Sequence, residues 1–310
     1  MKIVFFGTPD YVLPILTKLQ RKFVTGPGKS PIVAVVTQSP KPSGRKQILT
    51  YTPIDKWAHE HKIDTFYEAS NLIENRVNAD LGIVASYKGL IPQEVIDLFP
   101  MGILVVHPSL LPKFRWGSPI PAAIVTNSNP TGITIMKMDD KFDHGPIVSQ
   151  SKEHIEDTDT SDSLKVRLFE RSADILVELL EPYLKGRIKL KEQDHEEASF
   201  ARQIQKENAF IKPEFLSSAL EGKTYTDKWE IDFIKGYVQE SSPENIERFI
   251  RAMQSWPEAW TMVNGKRLKL LKVHLEEEKL VLDEVQLEGK KPVTWKQFLE
   301  AYPNALKASK

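Results

Sequence analysis

Residues Ile3-Val4-Phe5-Phe6-Gly7-Thr8-Pro9-Asp10 join an apolar run of strand length to a Gly-Thr-Pro-Asp break. Four apolar residues cut off by glycine and proline are too few for the core of a secretory signal, and far short of the roughly 20 needed to cross a bilayer. The run reads as a buried strand, and residues 11–20, which carry apolar side chains at helical spacing, read as the helix that follows it. The same alternation recurs. Segments 32–36, 81–85, 103–106 and 133–136 are aliphatic runs of strand length, and segments 53–61, 92–99 and 120–126 between them have helical period. Near-continuous apolar strands alternating with helices predict a doubly wound α/β fold, a mostly parallel sheet covered on both faces.

Further along, Thr158-Asp159-Thr160-Ser161 supplies capping side chains ahead of an amphipathic helix over 162–184. Charges then dominate (Lys191, Glu192, Asp194, Glu196, Glu197), as expected of a linker. The division predicted is a first domain over 1–185, a linker over 186–206 and a second domain over 207–310. In the second domain a helix at 243–253 precedes short alternating segments at 259–263, 267–274, 279–285 and 292–293, around turns such as Asn264-Gly265 and Glu288-Gly289. That pattern predicts a small β-barrel-like domain resembling the oligonucleotide-binding type.

A chain of 310 residues with 41 % hydrophobic and 27 % charged side chains can bury two ordinary cores, which excludes a disordered tail protein. Forty-two basic residues balance forty-two acidic ones, so a nucleic acid can be held only by local basic patches. The absence of cysteine removes disulfides, thiolate nucleophiles and Cys-type zinc sites together. A cytoplasmic, monomeric protein with no membrane partner is the expectation.

The densest chemistry lies in Val106-His107-Pro108-Ser109-Leu110-Leu111-Pro112 and in Asp139-Asp140-Lys141-Phe142-Asp143-His144-Gly145-Pro146. A histidine directly after a buried strand sits at the carboxyl end of the sheet, where open α/β folds bind their ligands. A carboxylate such as Asp143, set in a Gly-Pro turn, can reach such a histidine and favour its charged form. Taken singly, His107 reads equally well as a core histidine, and Asp143 as a turn former. The other candidates are weaker: His59 and His61 have the wrong spacing to share a helical face. No Gly-x-Gly-x-x-Gly follows the first strand, and no Gly-x-Ser-x-Gly surrounds Ser109. No metal is expected.

With these motifs the chain resembles the methionyl-tRNA formyltransferases, within the folate-dependent formyltransferases. The likeness is carried by Gly7-Thr8-Pro9-Asp10, Val36-Thr37-Gln38, Lys41-Pro42-Ser43-Gly44-Arg45, the His107 to Pro112 segment, Thr131 to Asp139, and Phe142-Asp143-His144-Gly145. In the second domain it continues through Phe200-Ala201, Ile204 to Glu207, Arg251-Ala252, Trp256-Pro257, Asn264 to Lys269 and Glu284 to Pro292. The resemblance implies transfer of a formyl group from 10-formyltetrahydrofolate to the amino group of methionyl initiator tRNA. It implies that His107 and Asp143 are catalytic, and that Ser109, Leu110, Leu111 and Pro112 line the folate site, with Tyr87 and Lys88 in the turn on the opposite wall. The amine attacks the formyl carbon, so donors must meet the charge that develops on the formyl oxygen.

Three positions depart from the family pattern. Val105 stands where the family has an Asn that donates to the formyl oxygen, a loss worth roughly 2.7 to 4 kcal/mol, or about 10² to 10³ in rate. Tyr87-Lys88-Gly89-Leu90 displaces the family glycine by one place, which predicts a reshaped turn if the backbone at Lys88 needs a positive φ. The Lys88 ammonium is hypothesised to substitute in part for the missing amide. Trp116 occupies a place where the family commonly has glycine.

For the tRNA, Lys41, Arg45 and Lys46 lie in a predicted projecting loop, and Lys266, Arg267, Lys269 and Lys272 cluster on the second domain. Such clusters can track phosphates without reading bases. Two rival readings use the same residues: a formyltransferase for another amine such as an amino sugar, and a silent homologue that binds tRNA or folate without transfer.

Overall fold

The computed structural model describes residues 1–26, 28–43 and 47–306. It contains two compact units that interleave along the chain. The first comprises Met1–Pro112, Gly132–Glu153 and Lys165–Glu197; the second comprises Lys113–Thr131, His154–Leu164 and the chain from Ala198 on. The contiguous division at residues 185 and 207 is therefore not how these units are drawn: the charged segment as far as Glu197 groups with the first unit.

In chain order the first unit is built from β1 (Ile3–Gly7), α1 (Leu13–Phe23), β2 (Ile32–Val36), β3 (Lys41–Ser43), β4 (Ile48–Thr50), α2 (Pro53–Glu60), β5 (Asp64–Phe66), α3 (Asn71–Glu74), β6 (Leu81–Ala85), α4 (Gln93–Ile96) and β7 (Ile103–His107). After α5 (Pro119–Val125), which lies in the second unit, come β8 (Thr131–Lys137), β9 (Ile147–Glu153) and α6 (Ser161–Leu184), whose first turn also groups with the second unit. Seven strands form one sheet in the order β5-β2-β1-β6-β7-β8-β9. β5, β2, β1, β6 and β7 run parallel, and β8 joins β7 antiparallel. Every residue of β1, β6 and β7 is buried, as strands covered on both faces require. The expected mostly parallel α/β sheet is present.

Local chemistry sets the helix starts. Thr52 accepts a hydrogen bond from the Asp55 N–H, and Pro53 fills the first turn of α2, where its missing N–H costs nothing. β3 and β4 pair as a hairpin that the sequence reading leaves as a loop, with Ile48 and Leu49 exposed on it.

The second unit continues through α7 (Pro213–Leu220), β10 (Tyr225–Glu230), β11 (Val238–Ser241), α8 (Pro243–Ala252), β12 (Trp260–Val263), β13 (Lys266–Glu276), β14 (Lys279–Leu287), β15 (Val293–Thr294) and α9 (Trp295–Ala301). The mainly β domain takes the form of an antiparallel four-stranded sheet, β12-β13-β14-β15, with a separate pair β10-β11. Ser242 caps α8 by accepting from the Asn245 N–H, and Ile246, Phe249 and Ile250 bury one face of that helix at spacings of three and four. Trp229 packs on Phe249 at 4.5 Å, and Leu268, Leu270 and Val285 supply the sheet's inner face. Among the described residues no helix is long and apolar enough to cross a membrane.

Candidate active site

The chain enters β1, leaves for β2 on one side and returns to β6 on the other, so the strand order reverses between β1 and β6. Open parallel sheets bind ligands at the carboxyl ends of strands beside such a reversal. β7 ends there on His107, one strand from the reversal, and the pairing of Ala85 with Val106 sets the turn after β6 level with it.

His107 is 5 % exposed, and a buried imidazole still needs partners for its polar ring nitrogens. Asp143 provides one: its Oδ1 lies 3.5 Å from His107 Nδ1. That distance exceeds a formed N–H···O hydrogen bond, and a closure of about half an ångström would make one. Catalytic pairs commonly stand this loosely before substrate arrives. Asp143 adopts a left-handed backbone (φ 51°), which aspartate tolerates better than most residues. Its loop is tight: a Cβ on Gly145 would fall 1.9 Å from the Lys137 carbonyl oxygen, so only glycine fits there.

After His107 the chain turns sharply, and Thr134 fixes the turn. The buried Thr134 hydroxyl donates to the Ser109 carbonyl at 2.7 Å and accepts from the Leu111 N–H at 3.0 Å. Gln150 Nε2 donates both to that hydroxyl and to the Leu111 carbonyl. Ser109 is wholly buried, and Leu111 turns into an apolar cluster with Val84, Val105 and Met136, against which Tyr87 and Ile91 pack. Leu110 lies against Gly132, and Pro112 follows it half-buried. The structure thus brings Tyr87 and Leu111 to one side of the sheet together with Val105.

Tyr87 sits edge-on to Phe6 at 5.7 Å, and burial pushes its phenol pKa up, so it stays a hydroxyl donor across the neutral range. The positive φ in this turn falls on Ser86 (51°), not on Lys88 or Gly89. Lys88 therefore meets no backbone obstacle, and the expected need for glycine at that place does not arise; the Lys88 side chain is exposed. At Trp116 φ is 84°, so a tryptophan there holds a conformation natural to glycine. Its ring packs on Phe200 at 4.5 Å.

Of the cations assigned to tRNA, Arg45 and Lys46 lie outside the described residues. Lys41 is exposed on β3 and Lys266 on β13. The Arg267 guanidinium stacks 4.0 Å over the Trp260 ring. Lys269 is paired with Glu258, and Lys272 Nζ lies 3.3 Å from Glu284, so these two charges are already partly answered within the chain. No group of three or more His, Asp or Glu placed to hold a metal occurs among the described residues.

Residues 1–180 match the formyl transferase family, and residues 239–280 match the formyl transferase C-terminal domain. A methionyl-tRNA formyltransferase from Thermotoga neapolitana is 36 % identical over 276 residues, covering 87 % of this chain and 78 % of that protein. Two solved structures share the fold. A methionyl-tRNA formyltransferase from Clostridium thermocellum aligns with TM-score 0.57 and 17 % identity over 93 % of this chain and 98 % of its own. An N-formyltransferase from Helicobacter canadensis, solved with folinic acid and dTDP-3-aminofucose, aligns with TM-score 0.62 and 14 % identity over 95 % and 98 %. The fold and the two matched domains define the class, an α/β transferase with a mainly β second unit. The chain belongs to the formyl transferase family, an enzyme family whose members move formyl groups.

Proposed function

We propose that this chain transfers the formyl group of 10-formyltetrahydrofolate to the amino group of methionyl initiator tRNA, in the cytoplasm. The observation that carries this reading is the buried His107–Asp143 pair at the carboxyl end of β7, in a chain 36 % identical to a methionyl-tRNA formyltransferase. The folate supplies the formyl carbon. Asp143 faces Nδ1 of His107 and on closing the 3.5 Å gap fixes the ring; the opposite ring nitrogen then donates to the formyl oxygen when the ring is the imidazolium, or takes the proton the amine gives up when it is neutral. The Ser109 to Pro112 turn, with Tyr87 opposite, forms the folate wall. Apolar surroundings at Leu111 and Val105 exclude water, which strengthens each remaining donor.

Val105 has no donor to offer, so this enzyme turns over slowly. Single-turnover formylation of charged initiator tRNA tests the reading in four proteins: the unaltered chain, Val105→Asn, His107→Ala and Lys88→Met. Expected are loss of transfer in His107→Ala, a gain of about 10² in Val105→Asn, and a fall in Lys88→Met, where the ammonium stands in for the amide. Absence of transfer in every protein, with folate still bound, would assign the chain to another amine acceptor or to a silent binding role.

A further inference from the structure

The segment from Lys185 to Glu197 is so rich in charge that a buried side chain within it calls for a reason. Gln193 is 5 % exposed, between exposed Glu192 and Asp194. Its Nε2 donates to the carbonyl of Asp143 at 3.0 Å and to the carbonyl of Gly145 at 2.7 Å. The two short bonds of one carboxamide thereby go to the backbone of the loop that carries the proposed catalytic carboxylate, and the same nitrogen lies 4.0 Å from the Met136 sulfur.

Its neighbours two residues away on each side are also anchored to the same stretch. Lys191 exchanges a reciprocal pair of backbone hydrogen bonds with Ile147, at 2.7 and 2.9 Å. The His195 ring stacks on His144 at 3.8 Å and 8°, while His144 Nδ1 lies 2.6 Å from Asp139 Oδ2. Lys191 through its backbone, Gln193 through its carboxamide and His195 through its ring thus each hold the stretch 139–147. The base of the loop is closed independently, by the Lys137 N–H to the Pro146 carbonyl. That bond holds the ends, and the crest at Asp143, in its left-handed conformation, is braced by Gln193.

We propose that Gln193 is a positioning residue of the formyl-transfer site, whose carboxamide holds the Asp143 loop so that the carboxylate faces His107. The proposal rests on the roles given to His107 and Asp143 under the proposed function. A misplacement of about 1 Å at a reacting constellation costs up to about 10² in rate. Gln193→Met keeps the side chain's length and removes both donors.

The test measures formyl transfer and the His107 ring resonances in four proteins: the unaltered enzyme, Gln193→Met, Asp143→Asn and the double variant. Expected in Gln193→Met are a kcat lowered roughly ten- to a hundredfold with KM for both substrates held within about twofold, and ring resonances displaced toward those of Asp143→Asn. The double variant should be no slower than Asp143→Asn alone, since both changes remove one contact. A Gln193→Met protein with unchanged kcat and unmoved His107 resonances, beside a slow Asp143→Asn, would overturn the Gln193 proposal while leaving the site's reading intact. Full activity in Asp143→Asn would overturn both. Should Gln193→Met not fold, Gln193→Glu, which sets an acceptor against two carbonyls, replaces it with the same expectations.

Discussion

Thr134 and Ser109 are joined by a buried hydrogen bond of 2.7 Å, from the threonine hydroxyl to the serine carbonyl, which ties the antiparallel strand β8 to the turn leaving β7. The same hydroxyl accepts from Leu111 and Gln150. Thr134→Val keeps the shape and takes the hydroxyl from the Ser109 carbonyl and the Leu111 N–H in a buried site, while Gln150 keeps its bond to the Leu111 carbonyl. We expect a loss of about 1 to 3 kcal/mol in denaturant unfolding and weaker folate binding, because the Ser109–Leu111 backbone loses its brace. Unchanged stability and folate affinity would show that the turn holds itself.

At Trp116, two effects oppose each other. The left-handed φ of 84° costs a side-chain-bearing residue roughly 1 to 2 kcal/mol, while packing on Phe200 contributes about 0.5 to 1.5 kcal/mol beyond burial. Trp116→Ala keeps the strain and loses the ring contact, so it should unfold more readily than the parent. Trp116→Gly loses both, and should be more stable than Trp116→Ala by about 1 kcal/mol. The reverse order in thermal melts would mean that φ at this position carries no strain.

How much of this was legible in the sequence depends on where each element sits. Apolar runs betray β1, β2, β6 and β7 because both faces are covered. β9 escapes notice: after Ile147 and Val148 it reads Ser-Gln-Ser-Lys-Glu, an edge strand whose outer residues are half-exposed and polar. β5 and the β3–β4 hairpin are only three residues per strand, too short for periodicity to register. His107 and Asp143 stand out through their motifs. Thr134, Gln150 and Gln193 do not, because each acts on a partner 25 to 50 residues away in the chain. Their one visible signal is a polar side chain in a place that needs explaining, as with Gln193 among charges. In the Tyr87–Leu90 turn the condition for a reshaped backbone at Lys88 is not met, since the positive φ falls on Ser86.

The tRNA assignment makes a graded prediction. Lys266→Ala should weaken binding of initiator tRNA and lower the salt dependence by about one counterion. Arg267→Ala should do so as well, and also remove the guanidinium stacked on Trp260. Lys269→Ala, whose charge is paired with Glu258, should change the salt slope less. Equal slopes for all three variants, measured by filter binding across a salt series, would remove this strand pair from the tRNA footprint.

An alkaline titration should expose Tyr67. Burial and the 2.8 Å hydrogen bond to Asp55 push its phenol up to about 12, from an ordinary value of 10.0. In the unfolded chain the phenol ionises first, so the stability it contributes is complete below pH 10 and is lost as pH climbs through about 12. Tyr67→Phe should flatten part of that decline in denaturant midpoints taken across this range. A parallel decline in both proteins would assign it to Tyr87, Tyr183 and Tyr237, whose phenols burial also raises.

The docked segment of Lys191, Gln193 and His195 also bears on how the chain can change length. Upstream, Gly186 with its left-handed φ of 64° closes α6, its N–H bonded to the Tyr183 carbonyl and that of Arg187 to the Pro182 carbonyl, and the segment that follows, as far as Leu190, makes fewer such contacts. Between 191 and 195 a single insertion would displace the carboxamide from the Asp143 loop, because the segment is pinned on one side by the Lys191–Ile147 backbone pair and on the other by the stack of His195 on His144. A stretch that looks like spacer by composition is thus held to a fixed count of residues, and drift in its length is confined to the few positions before it.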